Sequence, residues 1–271
     1  MIKLAFFGTP ELTTVLLDSL SKSDMKPSLV VTNPDKPKGR KLVMTAPPAK
    51  IWAIKNNVKC LQPEKLDENF LKKLAAESFD IFIVAAYGKI FPETLINTPK
   101  YGTLNVHYSL LPKYRGATPV ESAILNGDLE TGVSIQKMSF RLDTGPILAS
   151  EKFSVPKDIT ASDLRSALNA VAAKILPDII GKYLSGEIIP KPQDEKSSSN
   201  CKKIKKEDGL IDLKGDAAAN WRKFRAYREW PRTYFFDNGS RVIVSEAKYE
   251  NGKFEVVKII PEGKKETFFK A

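Results

Sequence analysis

Short apolar runs that alternate with amphipathic stretches constrain the fold of the first half of this 271-residue chain more than any other feature. The clearest run is Phe79–Ala86, which is almost entirely apolar and typical of a strand buried on both faces. Comparable runs occupy Ile2–Phe7, Leu29–Thr32 and Gly102–His107, and helical patterns separate several of them. This alternation predicts an α/β fold with an open, mostly parallel, Rossmann-like sheet.

The remaining elements of this half follow from the same rules. Thr9 is a good N-cap and Pro10 suits the first helical position, so a first helix is predicted from there to about Ser21. Gly132–Ser139 and Ile147–Val155 have the pattern of an antiparallel pair of strands. Further helices are predicted at Ala49–Asn56, Glu68–Glu77, Val120–Asn126 and Ala161–Leu184.

The composition changes after the predicted helix Ala161–Leu184. Gly186–Lys206 contains prolines, a serine run and a lysine cluster, which predicts a linker. Short strand-like pieces follow at Thr233–Phe236, Arg241–Ala247 and Phe254–Pro261, and they suggest a small, OB-like β-barrel. We place the α/β domain at residues 1–188, the linker at 189–206 and the β domain at 207–271. Because the chain stops abruptly for a strand, we expect this β domain to be truncated.

Charge favours a polyanionic partner. The net charge is +11 and the pI is about 9.4, and lysine or arginine contacts to phosphates release counterions. A merely soluble basic protein has the same total charge, so that alternative stays open. No apolar run approaches the roughly 20 residues that span a bilayer, and the start does not resemble a signal peptide, so we expect a cytoplasmic protein without a membrane partner. Cys60 and Cys201 with a single histidine make no plausible zinc site, and we expect no metal.

Three polar residues are candidates for chemistry. His107 is the only histidine, and it ends a predicted strand in Asn105-Val106-His107. Alternation places Asn105 and His107 on the same side of that strand, and ligands of α/β sheets bind beyond the carboxyl ends of the strands. Asp143 lies in a tight turn, Leu142–Pro146, between two predicted strands. An aspartate before Thr-Gly often only forms the turn, so both interpretations of Asp143 stay open.

Five segments together carry a resemblance to a known family. The segments are Gly8–Glu11, Ala85–Ile90, Asn105–His107, Ser109–Ala117 and Leu142–Leu148. In this order along the chain, they resemble the methionyl-tRNA formyltransferase family, and the resemblance extends through at least residues 1–190. Asn105, His107 and Asp143 are shared by the wider group of 10-formyltetrahydrofolate-dependent transformylases.

The resemblance implies a transfer of the formyl group of 10-formyltetrahydrofolate to the amino group of initiator methionyl-tRNA. Asn105, His107 and Asp143 would be catalytic. When the amine attacks the formyl carbon, an oxyanion develops, and Asn105 or a protonated His107 can donate a hydrogen bond to it. A carboxylate at Asp143 would favour the charged imidazole or relay a proton from the amine.

The resemblance also implies binding residues, and we expect a monomer. The folate pocket would be formed by Ala86, Tyr87, Gly88, Ile90, Ser109, Leu110, Leu111, Pro112 and Ile135. The tRNA would be bound by Lys36, Lys38, Arg40, Lys41, Lys202, Lys203, Lys205 and Lys206, with Arg222, Lys223, Arg225, Arg228 and Arg232 extending the same basic track. The first four lie in Asn33–Pro48, which is rich in proline, lysine and glycine and predicts a long loop; a solvated charge run is the alternative there. Trp221 and Trp230 are expected to be core residues rather than base-stacking ones.

Three other functions remain open at this point. A sugar-nucleotide N-formyltransferase would share Asn105, His107 and Asp143, but it does not need a basic loop and a basic second domain. A formyltetrahydrofolate hydrolase would use water as the acceptor and release formate without tRNA. A non-enzymatic RNA-binding protein would not need the three polar residues at all.

Overall fold

The computed structural model describes residues 2–39 and 42–270. The strands are β1 (Leu4–Gly8), β2 (Leu29–Val31), β3 (Lys36–Lys38), β4 (Val43–Thr45), β5 (Lys59–Leu61), β6 (Ile81–Ala85), β7 (Thr103–His107), β8 (Arg115–Gly116), β9 (Glu130–Lys137), β10 (Ile147–Ser154), β11 (Asn200–Cys201), β12 (Tyr234–Asp237), β13 (Ser240–Glu250), β14 (Lys253–Pro261) and β15 (Thr267–Phe268). The α-helices are α1 (Leu12–Lys22), α2 (Pro48–Lys55), α3 (Glu68–Ala75), α4 (Glu93–Ile96), α5 (Pro119–Asn126), α6 (Ala161–Leu184) and α7 (Ala217–Ala226).

Seven strands form the main sheet in the order β10-β9-β7-β6-β1-β2-β5. The five strands from β5 to β7 are mutually parallel, whereas β9 is antiparallel to both β7 and β10. This arrangement confirms the predicted Rossmann-like α/β fold and the predicted antiparallel pair at its edge.

Alternation along the central strands divides the core between the two faces of the sheet. In β1, Leu4 and Phe6 belong to the larger apolar cluster, which α1, α2 and α6 cover, while Ala5 and Phe7 belong to the smaller one, which α3 and α4 cover. Because both faces are buried, the strands must be apolar at nearly every position, and this explains the almost continuous apolar runs.

The carboxyl ends of β1, β6 and β7 lie side by side, with Gly8 paired to Ala85 and Val84 paired to Asn105. Thr9 was predicted to cap α1, and that prediction is wrong. The helix begins at Leu12 with Glu11 as its N-cap, and the Thr9 hydroxyl accepts a hydrogen bond from Asn33 Nδ2 at 3.0 Å. Thr9 therefore ties the edge of the sheet to the loop after β2.

The segment Asn33–Pro48 is not the structureless loop that its composition predicts. Two of its short pieces, β3 and β4, pair as an antiparallel hairpin, and Lys36 and Lys38 are exposed on β3. Lys-Pro-Lys has no apolar alternation, so a strand there gives no sequence signal. Arg40 and Lys41 lie outside the described residues.

The segment after α6 is packed against the α/β domain. Lys191 forms a β-bridge with Ile147, and β11 pairs in parallel with β8. The Arg115 amide donates to the Ser199 carbonyl oxygen, and the Tyr114 amide donates to the Ser199 hydroxyl oxygen, both at 2.9 Å. The region predicted to be a linker thus supplies a strand beside the loop that follows β7.

The C-terminal part contains a separate four-stranded antiparallel sheet, β12-β13-β14-β15, which fits the predicted small β domain. Helix α7 packs against it through Phe224, and it was not predicted from the sequence. Asp216 caps this helix by accepting from the amides of Ala218 and Ala219. Trp221 is partly buried and stacks on Phe224 at 5.6 Å, but Trp230 is 56% exposed, so the prediction of a core position for Trp230 is wrong.

Candidate active site

Asn105 and His107 project from the same face of β7 at the carboxyl edge of the sheet. Alternation explains this placement, because Leu104 and Val106, at the alternate positions of the strand, belong to the larger core. The neighbouring antiparallel strand β9 adds Gln136 opposite Asn105 and Ser134 opposite His107.

Asp143 reaches this edge from the turn between β9 and β10. Its backbone has a φ of 52°, in the left-handed region that costs an ordinary side chain energy. The turn also requires Gly145, since a Cβ there would lie 1.8 Å from the Lys137 carbonyl oxygen. The left-handed backbone at Asp143, together with the close contact between Gly145 and the Lys137 carbonyl, directs the Asp143 carboxylate toward β7 and β9.

Both oxygens of the Asp143 carboxylate accept hydrogen bonds from other parts of the chain. Oδ2 accepts from the Gly116 amide at 2.8 Å, and Oδ1 accepts from Gln136 Nε2 at 2.8 Å and from Asn105 Nδ2 at 3.4 Å. The side chain is only 8% exposed. Three donors from different parts of the chain therefore fix the position of this buried carboxylate.

His107 lies between a carbonyl group and this carboxylate. Its Nε2 is 2.9 Å from the Tyr114 carbonyl oxygen, and its Nδ1 is 3.7 Å from Asp143 Oδ2. A carbonyl oxygen can only accept, so Nε2 carries a hydrogen, and this assignment follows from the hydrogen-bond network. Nδ1 is then the ring nitrogen left for chemistry, and it faces the Asp143 carboxylate.

Gln193 and Arg115 complete the cluster, and sequence reasoning missed this role for both. Gln193 Nε2 donates to the carbonyl oxygens of Asp143 and Gly145 at 2.8 and 2.7 Å. The buried Arg115 guanidinium donates to Gln193 Oε1 at 3.0 and 2.8 Å and to both carboxylate oxygens of Glu195. Gln193 and Glu195 come from the segment after α6, so the turn that holds Asp143 depends on two distant parts of the chain, this segment and the loop that carries Arg115.

One sequence signal could have revealed Gln136. It lies in β9 two positions from Ser134, these two alternate with the apolar Val133 and Ile135, and both polar side chains are fully buried. Buried polar side chains at a period of two indicate that one face of a strand lines a polar site.

The first group of predicted folate residues lies directly after β6, beside the β7 edge. Ala86 and Gly88 have φ values of 47° and 80° and are exposed, so the backbone turns sharply here. The Tyr87 side chain is buried, and its carbonyl oxygen accepts from Asn33 Nδ2 at 2.9 Å. Ile90 is 89% exposed at the surface.

The second group surrounds the loop after β7. The buried Ser109 hydroxyl donates to the Lys113 carbonyl at 2.6 Å, and the Leu111 amide donates to Ser134 Oγ at 3.0 Å. Leu110 and Pro112 are half-buried in the same loop. The Ile135 side chain is fully buried in the larger core, on the opposite face of β9 from Ser134.

The predicted basic residues fall in two places. Lys36 and Lys38 stand on the hairpin near the carboxyl edge of the sheet, and Lys202, Lys203, Lys205 and Lys206 are exposed after β11. Arg225, from the extended basic track, is instead buried, with Nη1 donating to the Ile159 carbonyl at 3.2 Å.

Two further features concern residues 2–39 and 42–270. Within these ranges no three His, Cys, Asp or Glu side chains are grouped so that they could hold a metal ion. None of the helices described there is long and apolar enough to cross a membrane.

The fold and this polar cluster define a class of enzyme. The family model for formyl transferases matches residues 2–180, and the model for the formyl transferase C-terminal domain matches residues 203–268. The chain belongs to the formyl transferase family. A methionyl-tRNA formyltransferase of Sulfurihydrogenibium sp. (strain YO3AOP1) is 38% identical to it over 249 residues, covering 91% of this chain and 80% of the relative.

Solved structures share the fold. A methionyl-tRNA formyltransferase from Clostridium thermocellum superposes with a TM-score of 0.65 and 17% identity over the full length of both chains. An N-formyltransferase from Helicobacter canadensis, in complex with folinic acid and dTDP-3-aminofucose, has a TM-score of 0.70 and 21% identity, covering 93% of this chain and 89% of its own.

Proposed function

We propose that this enzyme transfers the formyl group of 10-formyltetrahydrofolate to the amino group of methionyl-initiator tRNA, with Asn105, His107 and Asp143 as its catalytic residues. The observation that carries the proposal is the convergence of these three side chains at the carboxyl edge of the sheet. The similarity to methionyl-tRNA formyltransferases over most of the chain supports the choice of acceptor.

The reaction needs a group that stabilises negative charge on the formyl oxygen. The methionine nitrogen attacks the formyl carbon, a new N–C bond forms, and the bond from that carbon to N10 of the folate breaks. The hydrogen bond from Asn105 Nδ2 to Asp143 is long, at 3.4 Å. The same NH₂ group has a second hydrogen that it can donate to the developing oxyanion. Such a donor typically contributes a factor of about 10²–10³ to the rate.

The reaction also has to move a proton. The attacking amine loses one and N10 of the leaving folate gains one, so the exchange is balanced without any further reactant. His107 Nδ1 and Asp143 Oδ2, 3.7 Å apart, form a pair that can accept the proton from the amine and return it. Gly116 and Gln136 hydrogen-bond the two oxygens of Asp143 and hold its carboxylate beside His107 during this step.

Exposed lysines supply charge complementary to tRNA. Lys36 and Lys38 stand near the reacting edge, whereas Lys202, Lys205 and Lys206 lie on the segment toward the C-terminal sheet. Phosphates that contact the second group are held equally in the substrate and transition-state complexes, so these lysines contribute to binding more than to turnover.

The test is incubation of the full chain with 10-formyltetrahydrofolate and methionyl-initiator tRNA, with formyl-methionine measured after hydrolysis of the ester. We expect formyl-methionine and tetrahydrofolate in equal amounts. Two parallel reactions address the alternatives: one without tRNA, in which a hydrolase would release formate, and one with a dTDP-amino sugar, which a sugar N-formyltransferase would formylate. Formylation of the sugar but not of the tRNA would contradict the proposal.

A further inference from the structure

A cleft outside the residues assigned to catalysis lies between α5, α6, α7 and the segment after β11. Its volume is about 320 Å³, which is at the lower end of the range for sites that bind small ligands. Ala117 and Thr118 line it and directly follow Gly116, whose amide contacts Asp143. The cleft therefore adjoins the candidate active site through the start of α5.

The charges that line this cleft are unbalanced. Its two carboxylates, Glu121 and Glu229, both pair with Arg165, the second at 3.5 Å. Within the described part of the chain, the other three cations, Lys203, Arg225 and Arg228, have no carboxylate within 4.0 Å. Three cations thus line the same cleft without a close ion pair to those residues, although Asp158 acts on Arg225, and Glu246 on Arg228, at longer range.

Arg225 is the most informative of the three, because it is only 7% exposed. Its Nη1 donates to the Ile159 carbonyl at 3.2 Å, and its guanidinium lies 5.8 Å from the Trp221 ring. Its Nε is buried without a hydrogen-bond partner among the described residues. A buried cation with an unused donor is costly, and a bound anion would offset that cost.

Two helices also begin at this cleft. Thr118 is the N-cap of α5, and Ala161 and Ser162 are the first residues of α6, which is 24 residues long. The Thr118 side chain makes no capping hydrogen bond to α5. Thr160 already caps α6 by accepting from the Asp163 amide, and α5 begins with Pro119, so the two helix ends contribute mainly their partial positive charge, which favours an anion at this place.

We propose that this cleft binds a phosphate group, held by Arg225, Arg228 and Lys203. A phosphate offers several charged acceptor oxygens, which matches three converging cations better than a single carboxylate does. Trp230, 56% exposed at the rim, provides a flat surface for a base attached to that phosphate. The phosphate can belong to a free nucleotide or to the tRNA backbone; only the second source rests on the proposed function.

The test uses the full chain, with inorganic phosphate and AMP as probes, and follows binding by calorimetry and by tryptophan fluorescence. We expect saturable binding of both probes. Arg225→Met and Arg228→Met should each weaken it by at least about 10-fold, because each removes charge-assisted hydrogen bonds. Arg228 is exposed, so its variant remains informative if Arg225→Met does not fold. Lys174→Met removes an exposed charge from the same helix as Arg165 and should bind normally.

Two results would overturn the site: no saturable binding in the wild type, or an Arg228→Met variant that binds as tightly as the wild type and the Lys174→Met control. The source is identified by adding uncharged initiator tRNA. Displacement of AMP by tRNA assigns the site to a backbone phosphate, and retention of AMP on the tRNA-bound protein assigns it to a free nucleotide; either outcome supports the site. No formyl donor is present, so the result is independent of whether the protein formylates tRNA.

Discussion

The side-chain amide of Gln193 donates hydrogen bonds to the carbonyl oxygens of Asp143 and Gly145, at 2.8 and 2.7 Å. Gln193 lies 50 residues after Asp143 in the sequence. Its own oxygen accepts from Arg115. Every polar atom of the Gln193 side chain is therefore used to hold the turn from which the Asp143 carboxylate projects. Asp143 is held by a residue beyond α6 as well as by its own strands.

We expect Gln193→Glu to lower kcat by about 10-fold or more, because catalytic geometry tolerates little displacement. Glutamate retains the size and can still accept from Arg115, but it has no hydrogen to donate to the two carbonyl oxygens. Steady-state kinetics would measure this, with Lys196→Ala, a change of an exposed side chain in the same segment, as the control. Unchanged kcat in the glutamate variant would mean that Gln193 does not position Asp143.

His107→Ala should lower kcat by at least ~10² while the KM for tRNA changes little, because the loss falls on the transition state. The buried ring also bonds the Tyr114 carbonyl, so the fold of the variant has to be checked by circular dichroism. Turnover near the wild-type value with saturating substrates would remove His107 from the mechanism.

Asp143→Asn separates the two interpretations of this residue. If Asp143 only formed its turn, asparagine would replace it well, since both suit turns. In the wild type both carboxylate oxygens accept hydrogen bonds. In asparagine one of them becomes an NH₂ group, which would point at the Gly116 amide in one orientation or at the Gln136 and Asn105 amides in the other. The negative charge beside His107 would also be lost. We expect at least ~10² lower kcat with a folded protein. A fully active asparagine variant would favour the turn-forming role alone.

The Arg115–Glu195 ion pair should make stability depend on pH in the acid range. The hydrogen bond from Arg115 holds the pKa of Glu195 below its ordinary value of 4.5. A carboxyl group with a depressed pKa in the folded state contributes its stability above pH 4.5, and the contribution is lost as the pH falls through the folded-state pKa. Glu195→Gln should therefore lower Tm slightly at pH 7, and the difference from wild type should shrink below pH 4.5.

Glu195 is exposed, so the effect on Tm should be no more than a few degrees. Glu151→Gln changes an exposed carboxylate that forms no ion pair with the described residues, and it is the matched control for thermal melts at both pH values. Equal differences at both pH values would contradict the assignment to this pair.

The two groups of lysines should differ in kinetics. Replacing Lys202, Lys205 and Lys206 with alanine should raise the KM for tRNA and flatten its salt dependence by roughly one unit of slope per lost phosphate contact. Lys38→Ala should also lower kcat, because the hairpin stands at the reacting edge and helps to position the acceptor. If Lys38→Ala changes only KM, the hairpin is an electrostatic contact and not a positioning one.

The parts of this molecule that follow local rules could be predicted from its sequence. Buried parallel strands require apolar residues on both faces, so β1, β6 and β7 were recognisable, and a period of two placed Asn105 beside His107. The catalytic role of Asp143 was predicted only from the family resemblance. Its position before Thr-Gly is equally typical of a residue that only forms a turn.

The rest depends on contacts that leave no local pattern. Gln193 and Glu195 lie among prolines, lysines and serines, a composition that indicates a linker, and only the partner Arg115 gives them a role. The hairpin of β3 and β4 likewise lacks apolar alternation. Helix α7 is different, because Asp216 and the three alanines after it are a local start signal that could have predicted it.

The pairing of β8 with β11 means that the wall of the candidate active site is shared between two stretches of sequence that a domain map would separate. A protein cut after residue 188 would keep Asn105, His107 and Asp143, yet it would lose Gln193, Glu195 and the strand beside Gly116. The turn that carries Asp143 would therefore lose its hydrogen bonds to Gln193 in such a fragment. Exchange of C-terminal domains between relatives would have to retain residues 189–201 with the α/β half to leave the Asp143 turn supported.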